Sequence, residues 1–286
     1  MIMAKRALVV GINDYAPIGL GGPDLRGCVN DAQDMANTLV ICGFPAGNIG
    51  ILTNQNAKRA NIILRLKALV TNAIAGDSIV FYYSGHGTRV ANIGADFEID
   101  GLDEAICPHD FSTEGVLKDD DFKAIFTSLK PGVNFDVVFD CCHSGTGTRA
   151  LSLEGVMSLT DSNDQYNGIR AIVPMLEDEF YFIHQRQLGK KSKSVKTAKA
   201  LVPVAGLNHT LWAACKDNQL SMEGPIVGQI RGFFTYHFCR ALRATTGHIK
   251  RSVLDVQVAN ALSAMGAAQV NQTEAPTTEF NQLIFT

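Results

Sequence analysis

The sequence predicts an α/β protein with a mostly parallel central sheet covered by helices on both faces. Short apolar stretches alternate with longer stretches of helical periodicity through the first half of the chain, which favours parallel strands joined by helices. Two of the apolar stretches end abruptly in small and reactive residues, at 77–87 (DSIVFYYSGHG) and 135–145 (FDVVFDCCHSG). Open α/β sheets bind ligands at the carboxyl ends of their strands, so the same two stretches predict the position of a functional site.

Each element is predicted from its own local pattern. Runs rich in β-branched and aromatic residues predict strands at residues 7–12, 49–52, 78–83, 135–139, 209–215 and 280–285. Apolar residues recurring every three or four positions predict helices at residues 27–42, 57–73, from 119–121 to about 129, 233–244 and 252–265. Asn30 or Asp31 is expected to cap the first helix. Residues 92–121 look acidic and irregular, and 147–204 carry the weakest pattern.

Composition narrows the class of protein. The chain has 286 residues, a formal net charge of −3 and seven cysteines. This charge gives no reason to expect nucleic acid as a partner, and no apolar run approaches the roughly 18 residues that a membrane helix needs. The odd cysteine count, the scattered spacing and the lack of a secretion signal predict reduced thiols and a cytoplasmic location.

Two residues at the strand ends have the chemistry of a nucleophile and its base. Cys142 follows one apolar strand and His86 follows the other, with glycine on both sides of the histidine. A thiol attacks a carbonyl as the thiolate, and a neighbouring imidazole promotes that state and then protonates the leaving amine. The amides of Gly87 and Cys142 are predicted to hold the oxyanion. Cys141 is expected to point into the packing, because side chains alternate along a strand, and His143 lies too close in sequence to reach the sulfur.

Other interpretations of these residues stay open. A cysteine at the end of a buried strand is commonly a small apolar side chain, and a single histidine is commonly structural. Cys141, Cys142, His143 and His86 also have the residue types of a metal site, although adjacent cysteines rarely bind one tetrahedral ion and the usual spacings are missing.

The two motifs together resemble a known peptidase family. Residues 83–87 (YSGHG) and 140–145 (DCCHSG) are similar to motifs of the metacaspases and their prokaryotic orthocaspase relatives, in the caspase-like group. Further similar blocks lie at residues 25–32 (LRGCVNDA), 100–110 (DGLDEAICPHD) and 215–221 (CKDNQLS). The resemblance implies a caspase-like three-layer sandwich over a single domain, 1–286. Within it, residues 1–150 correspond to the large subunit, 151–206 to an insertion or linker, and 207–286 to the small subunit.

The resemblance also implies an activity. By it, the chain is a cysteine endopeptidase that cleaves after Arg or Lys and acts as a monomer, with Cys142 as nucleophile and His86 as base. The specificity pocket falls at Cys28, Asp31, Ser84 and Asp140, and two carboxylates at a sheet edge do favour a cationic side chain. Two of these residues also fit purely structural roles: Asp31 as a helix cap and Asp140 as a turn residue. The alternative function is a caspase-fold pseudo-peptidase that acts as a binding or regulatory module.

Calcium is the one cofactor that the resemblance brings in. Many members of the family are activated by calcium, and Asp103, Asp119 and Asp120 fall at positions that match its ligands. A further aspartate of the family is replaced here by Arg149, which supplies no oxygen and repels a cation. The sequence therefore predicts an enzyme that requires no cofactor, with calcium left as a candidate activator.

A basic segment is expected to be a self-cleavage site. Residues 185–199 contain no acid and six basic residues, and loop segments of this kind are accessible to proteolysis. The predicted cut follows one of Arg186, Lys190, Lys191, Lys193, Lys196 or Lys199. A flexible linker that is never cut is the competing interpretation.

Overall fold

The structure, a computed structural model, describes residues 3–15, 24–91, 102–142, 168–171, 208–216, 219–276 and 278–286. Its strands are β1 (Lys5–Gly11), β2 (Ile49–Thr53), β3 (Ser78–Ser84), β4 (Gly87–Ala91), β5 (Leu102–Ile106), β6 (Leu117–Lys118), β7 (Asn134–Asp140), β8 (Gly168–Ile169), β9 (Thr210–Ala213), β10 (Met222–Ile226), β11 (Gln229–Gly232) and β12 (Gln272–Glu274). Its helices are α1 (Cys28–Ile41), α2 (Arg59–Thr71), α3 (Phe111–Glu114), α4 (Asp119–Phe126), α5 (Phe233–Thr245) and α6 (Arg251–Ala264).

A six-stranded sheet forms the centre of the molecule. Its strand order is β12-β9-β7-β3-β1-β2. The five strands from β9 to β2 are parallel, and only β12 pairs antiparallel, at one edge. The predicted mostly parallel sheet is therefore confirmed.

Helices cover both faces of this sheet, because side chains of successive strand residues point to opposite faces. Phe81 and Tyr83 of β3 pack in one hydrophobic cluster with α2 and α4. Val80 and Tyr82 of the same strand pack in a second cluster with α1, α5 and α6. The three layers are those of the predicted sandwich.

Two small antiparallel sheets accompany the central one. One contains β4, β5 and β6, and the other has the strand order β11-β10-β8. β4 begins three residues beyond the end of β3, at Gly87. The second small sheet runs directly into α5, which begins after Gly232.

Three predictions of secondary structure are wrong. Residues 280–285 form turns rather than a strand, and Phe285 has a left-handed φ of 63°. Its ring nevertheless packs edge-on against Phe44, so the apolar pattern there indicates burial and not extended backbone. Neither Asn30 nor Asp31 caps α1, whose N-cap is Gly27. The region predicted as irregular, 92–121, contains β5, α3 and β6 in its described part.

Among the helices that the structure describes, none has the length and apolar character needed to cross a membrane.

Candidate active site

The register of two neighbouring strands brings His86 and Cys142 to one edge of the sheet. β3 and β7 are adjacent and parallel, and their last residues, Ser84 and Asp140, are partners. His86 and Cys142 each lie two residues beyond that pair, so both directly follow the same edge of the sheet. Both side chains are almost completely buried, with 1% and 0% of their surface exposed.

The backbone of Gly87 lies directly against the backbone of Cys142. A Cβ atom at residue 87 would overlap the carbonyl group of Cys142, so only glycine fits at this point. The two predicted oxyanion donors converge on one acceptor: the N–H of Gly87 and that of Cys142 both donate to the carbonyl oxygen of Arg170, at 3.0 and 3.1 Å. This pair of amides is therefore arranged to hold a single oxygen atom.

Two tyrosines fix the backbone of His86. The N–H of His86 donates to the hydroxyl of Tyr15 at 2.7 Å, and the hydroxyl of Tyr83 donates to the carbonyl oxygen of His86 at 2.7 Å. The rings of Tyr15 and His86 pack with their centroids 4.9 Å apart. Sequence reasoning missed both tyrosines, because Tyr83 ends an apolar run that predicts core packing and Tyr15 lies in the loop predicted after the first strand.

The sulfur of Cys142 is surrounded by hydrogen-bonding groups. The N–H of Ser221 donates to Sγ at 2.6 Å, and the carbonyl oxygen of the same residue lies 3.4 Å away. A hydrogen bond with Cys142, together with burial, raises the pKa of Cys215 well above its ordinary value. The donor and the acceptor of Ser221 together fix the position of the Cys142 sulfur.

The neighbouring cysteine has a different environment. Cys141 belongs to the hydrophobic cluster on the α2 side of the sheet, as its predicted orientation requires. Burial raises the pKa of its thiol well above the ordinary value, so Cys141 is a poor nucleophile. His143, the other competitor considered above, lies outside the described residues.

The four predicted pocket residues come together beside these groups. Cys28, Asp31, Ser84 and Asp140 are all buried, with at most 1% of each exposed. The Ser84 hydroxyl donates to Asp31 at 3.1 Å, and the Gly232 N–H donates to the same carboxylate at 3.0 Å. Asp140 accepts hydrogen bonds from the Ser221 hydroxyl at 2.7 Å and the Thr235 N–H at 3.1 Å. Asp31 is therefore not a helix cap, and Asp140 is the last residue of β7 and not a turn residue.

A third carboxylate, which sequence reasoning missed, completes this pocket. Glu223 of β10 is fully buried. Its carboxylate accepts hydrogen bonds from the amides of Arg26 and Gly27 at 2.7 and 3.0 Å. The Cys28 thiol donates to it at 3.7 Å. The available signal was an acidic residue inside a short strand-like run directly after the block at 215–221.

The side chain of Arg170 fills the pocket. Its guanidinium contacts Asp31 directly, Asp140 at 3.0 Å and Glu223 at 3.0 Å, and it donates to the Ser84 hydroxyl at 2.8 Å. The arginine is completely buried. Its position was not predicted, because it lies within the long stretch that carries the weakest sequence pattern.

Burial and neighbouring charges shift the pKa values of these groups in opposite directions. Burial raises the pKa of Asp31 to about 7, although Arg170 opposes the rise. Burial works against the charge of Arg170, but the carboxylates, Asp140 above all, keep its pKa well above the ordinary value. The pocket therefore stabilises a permanently charged cation.

The predicted calcium ligands occupy two separate elements. Asp119 and Asp120 lie in the first turn of α4, and Asp103 lies in β5 opposite Val90. Across the described ranges, no group of three or more histidine, cysteine, aspartate or glutamate side chains is placed to hold a metal ion. Arg149 lies outside those ranges.

Comparisons with known proteins identify relatives for most of the chain. Residues 5–150 match the family model described as "Metacaspase, peptidase C14 domain". Metacaspase-1A of Aspergillus oryzae is 32% identical over 84% of this chain and 60% of its own length. Metacaspase-1 of Ajellomyces capsulatus is 31% identical over 84% of this chain and 71% of its own length. The chain thus spans about 60% of the length of the first of these relatives.

A solved structure has a similar fold. The crystal structure of a protein from Geobacter sulfurreducens superposes with a TM-score of 0.67 at 25% identity, covering 99% of this chain and 98% of that one. The likeness extends over the whole sandwich, which is caspase-like as the motifs imply.

Proposed function

The chain belongs to the metacaspase family, and we propose that it is a cysteine endopeptidase that cleaves polypeptides after arginine or lysine, with Cys142 as nucleophile and His86 as general base. The family is one of cysteine peptidases. Protein substrates, a monomeric state and a cytoplasmic location complete the proposal.

The proposed function rests on one observation, the position of Arg170. The side chain of this residue occupies the acidic pocket while its carbonyl oxygen accepts hydrogen bonds from Gly87 and Cys142. A substrate cleaved after arginine needs both features, a pocket for its cation and two donors for the oxygen that becomes an oxyanion. The position of Arg170, with its side chain among carboxylates and its carbonyl oxygen between two amides, therefore supports cleavage after arginine.

The reaction follows from these groups. Sγ of Cys142 attacks the carbonyl carbon, and the amides of Gly87 and Cys142 stabilise the oxyanion. His86 accepts the thiol proton and delivers it to the leaving amine, so the peptide bond breaks and a thioester remains. Water, deprotonated by His86, then hydrolyses the thioester and restores the thiol.

The alternative is a pseudo-peptidase that binds basic segments without cutting them. The presence of both Cys142 and His86 favours the enzyme. Since arginine would enter the same pocket in either case, binding alone does not separate the two functions; turnover does.

The test measures turnover on fluorogenic peptides ending in Arg, Lys or Asp before the reporter. We expect Arg and Lys peptides to be cleaved and Asp peptides to resist. Cys142→Ala and His86→Ala should abolish cleavage, whereas the matched variant Cys141→Ser should retain most of it. Turnover that persists in Cys142→Ala, or a wild type that binds Arg peptides and cleaves none, would overturn the proposal.

A further inference from the structure

We propose that Tyr15 and Tyr83 are positioning residues of the peptidase, which hold the imidazole of His86 in place for proton exchange with the nucleophile. The inference rests on the proposed function and deepens it, because it names two groups outside the dyad on which the dyad depends. Neither tyrosine takes part in the reaction itself. Each acts through His86, so each is expected to affect the rate of the chemical step and not the binding of the substrate.

The backbone of His86 lies outside the strands on either side of it. β3 ends two residues before His86 and β4 begins at the residue after it. A buried backbone N–H or carbonyl group needs a hydrogen-bond partner. The N–H of His86 donates to the Tyr15 hydroxyl at 2.7 Å, and its carbonyl oxygen accepts the Tyr83 hydroxyl at 2.7 Å. The same oxygen accepts the N–H of Cys107 at 3.0 Å. Two phenol side chains thus replace much of what a neighbouring strand would supply.

The two hydroxyls are also neighbours of each other. Their oxygens lie 3.4 Å apart, which closes a ring of contacts through the N–H of His86, the two phenols and the carbonyl group of His86. A phenol hydroxyl donates one proton and can also accept, so Tyr15 accepts from His86 while Tyr83 donates to a carbonyl oxygen. The Tyr83 hydroxyl also lies 2.8 Å from the carbonyl oxygen of Cys107. Removal of either hydroxyl therefore breaks the ring.

The glycine before His86 is explained by the same hydroxyls. A Cβ atom at Gly85 would overlap the hydroxyl oxygens of both Tyr15 and Tyr83. Gly85 does not have a left-handed φ, so close approach, and not backbone conformation, requires glycine there. Glycine at this position leaves room for both hydroxyls beside His86.

Tyr15 restricts the imidazole as well as the backbone. Its ring lies against the imidazole of His86, with the centroids 4.9 Å apart and an interplanar angle of 40°. It also packs edge-on against Phe111, with the centroids 5.8 Å apart. The backbone N–H of Tyr15 donates to the carboxylate of Asp24 at 3.3 Å. A ring held on several sides in this way limits the rotamers open to the His86 side chain.

Both phenols are expected to stay protonated. Burial raises the pKa of Tyr15 and that of Tyr83 well above the ordinary value. The hydroxyls are therefore unsuited to act as acid or base in the reaction. What they supply is a set of fixed hydrogen bonds around His86.

Core packing alone does not account for the two hydroxyls. Phenylalanine would fill nearly the same volume, and a buried hydroxyl costs free energy unless it is hydrogen-bonded. Both hydroxyls bond to the backbone of one residue, His86. Tyr82, the neighbour of Tyr83 in β3, is also buried, but its hydroxyl contacts Thr235 at 2.6 Å on the opposite face of the sheet. Tyr82 therefore provides the matched control.

The experiment compares wild type with Tyr15→Phe, Tyr83→Phe and Tyr82→Phe in the full chain, on a fluorogenic Arg peptide. We expect kcat to fall by about tenfold to a hundredfold in Tyr15→Phe and Tyr83→Phe, because a misplacement of about 1 Å can cost about a hundredfold in rate. KM should stay within about twofold, since the pocket for arginine is untouched. The double variant should lose less than the product of the two single losses, because both hydroxyls act on one residue. Tyr82→Phe should keep the kcat of wild type.

Each protein is first checked for internal cleavage. The sequence predicts self-cleavage within residues 185–199, which lie outside the described residues. Because a cut chain and an intact chain can differ in activity, intact mass is measured before the kinetics, and proteins with the same extent of cleavage are compared.

A second measurement tests whether the effect passes through His86. Iodoacetamide alkylates the thiolate and not the thiol, and a neighbouring imidazole promotes the thiolate of Cys142. Mass spectrometry of the peptide that contains Cys142 gives its alkylation rate in each protein without any turnover. We expect this rate to fall by about tenfold in Tyr15→Phe and Tyr83→Phe, as the imidazole moves from its place. In a His86→Ala background, Tyr83→Phe should change the rate by less than about twofold.

The outcomes separate the inference from the proposed function. A wild type that cleaves Arg peptides, beside Tyr15→Phe and Tyr83→Phe variants with unchanged kcat, overturns the inference alone. An equal loss of kcat in Tyr82→Phe also overturns it, because removal of any buried hydroxyl would then suffice. A further fall in alkylation when Tyr83→Phe is added to His86→Ala does the same. A wild type that cleaves no peptide overturns the proposed function, and the alkylation rates still decide the inference. The two tyrosine variants are independent, so either one decides if the other fails to fold.

Discussion

Asp31 and Asp140 lie on the two sides of one guanidinium, Asp31 against Nη2 of Arg170 and Asp140 against Nη1. The two carboxylates come from separate parts of the chain, the first turn of α1 and the last residue of β7. Each accepts further hydrogen bonds from backbone or hydroxyl groups, which fix its direction before any ligand arrives. A pocket with both acids fixed in this way is preorganised for a cation.

Removing either charge should therefore weaken cleavage after arginine. For Asp31→Asn and Asp140→Asn we expect kcat/KM on Arg peptides to fall. The transition state should lose about 2–5 kcal/mol of stabilisation, because the guanidinium loses a desolvated partner. Steady-state kinetics measure this, and Glu114→Gln, at an exposed position, serves as the control. Normal cleavage of Arg peptides by both variants would place the specificity pocket elsewhere.

The pocket shows how far sequence reasoning reaches. Asp31 and Asp140 were identified because they fall at matching positions of the family's motifs, which parallel strands bring to one edge of the sheet. Arg170 and Glu223 were missed because neither lies in such a motif. Glu223 belongs to a short antiparallel ribbon, and the pairing of such ribbons depends on tertiary contacts that no local pattern encodes.

For the fold, too, some elements were predicted correctly and others were not. The parallel strands were identified because each is a continuous apolar run, as strands buried on both faces are. Residues 280–285 are also mostly apolar, and they are not a strand. The N–H of Phe280 bonds locally to the carbonyl oxygen of Pro276, and Ile284 and Phe285 are buried in the core without forming one. Burial alone does not distinguish a strand from a turn that is packed into the core.

His209 should make stability depend on pH. Its ring packs against Phe126, with the centroids 4.8 Å apart, and burial lowers its pKa to about 4 against the opposing effect of Asp136. In the unfolded chain the imidazole has its ordinary pKa near 6.5. As the pH falls, the unfolded state binds a proton first, so the stabilisation present above about pH 6.5 is lost progressively down to about pH 4.

The measurement is chemical denaturation at pH 7, 5.5 and 4. For wild type we expect the His209 contribution to the free energy of unfolding to fall by at most about 3 kcal/mol across this range. His209→Gln removes the titration, and its stability should change less with pH whatever its starting value. Parallel pH dependences in the two proteins would contradict the prediction.

Calcium should not be required for activity. Asp119 and Asp120 lie at the start of α4, where acidic side chains stabilise a helix through its dipole without any ion. We expect peptidase activity to survive a chelator within about twofold, and Asp119→Asn and Asp120→Asn to behave like wild type with and without calcium. Strict dependence on added calcium, lost in either variant, would show that these aspartates bind the ion despite Arg149.

Asp121 provides the matched control for that experiment. Its carboxylate accepts a hydrogen bond from the Lys118 N–H at 3.1 Å and pairs with Arg59 at 3.1 Å. Asp121→Asn should therefore lower the melting temperature and leave the calcium response unchanged.

Glu223 should make the pocket prefer arginine to lysine. It contacts Nη2 of the guanidinium at 3.0 Å, and Asp140 contacts Nη1 at the same distance. A guanidinium presents separate donors to separate carboxylates, whereas an ammonium is a compact point charge that cannot span them. Loss of a hydrogen bond to a charged group costs about 1.5–3 kcal/mol.

The variant Glu223→Gln tests this preference. We expect kcat/KM on Arg peptides to fall by about tenfold or more and kcat/KM on Lys peptides to fall much less, so that the Arg/Lys ratio decreases. Glutamine keeps a carbonyl acceptor for the amides of Arg26 and Gly27 but places an N–H donor or a neutral oxygen where the guanidinium needs charge. Thermal denaturation beside Glu114→Gln separates loss of fold from loss of preference. An equal fall on Arg and Lys peptides, or an unchanged ratio, would make Glu223 a support of the loop before α1 and not a determinant of specificity.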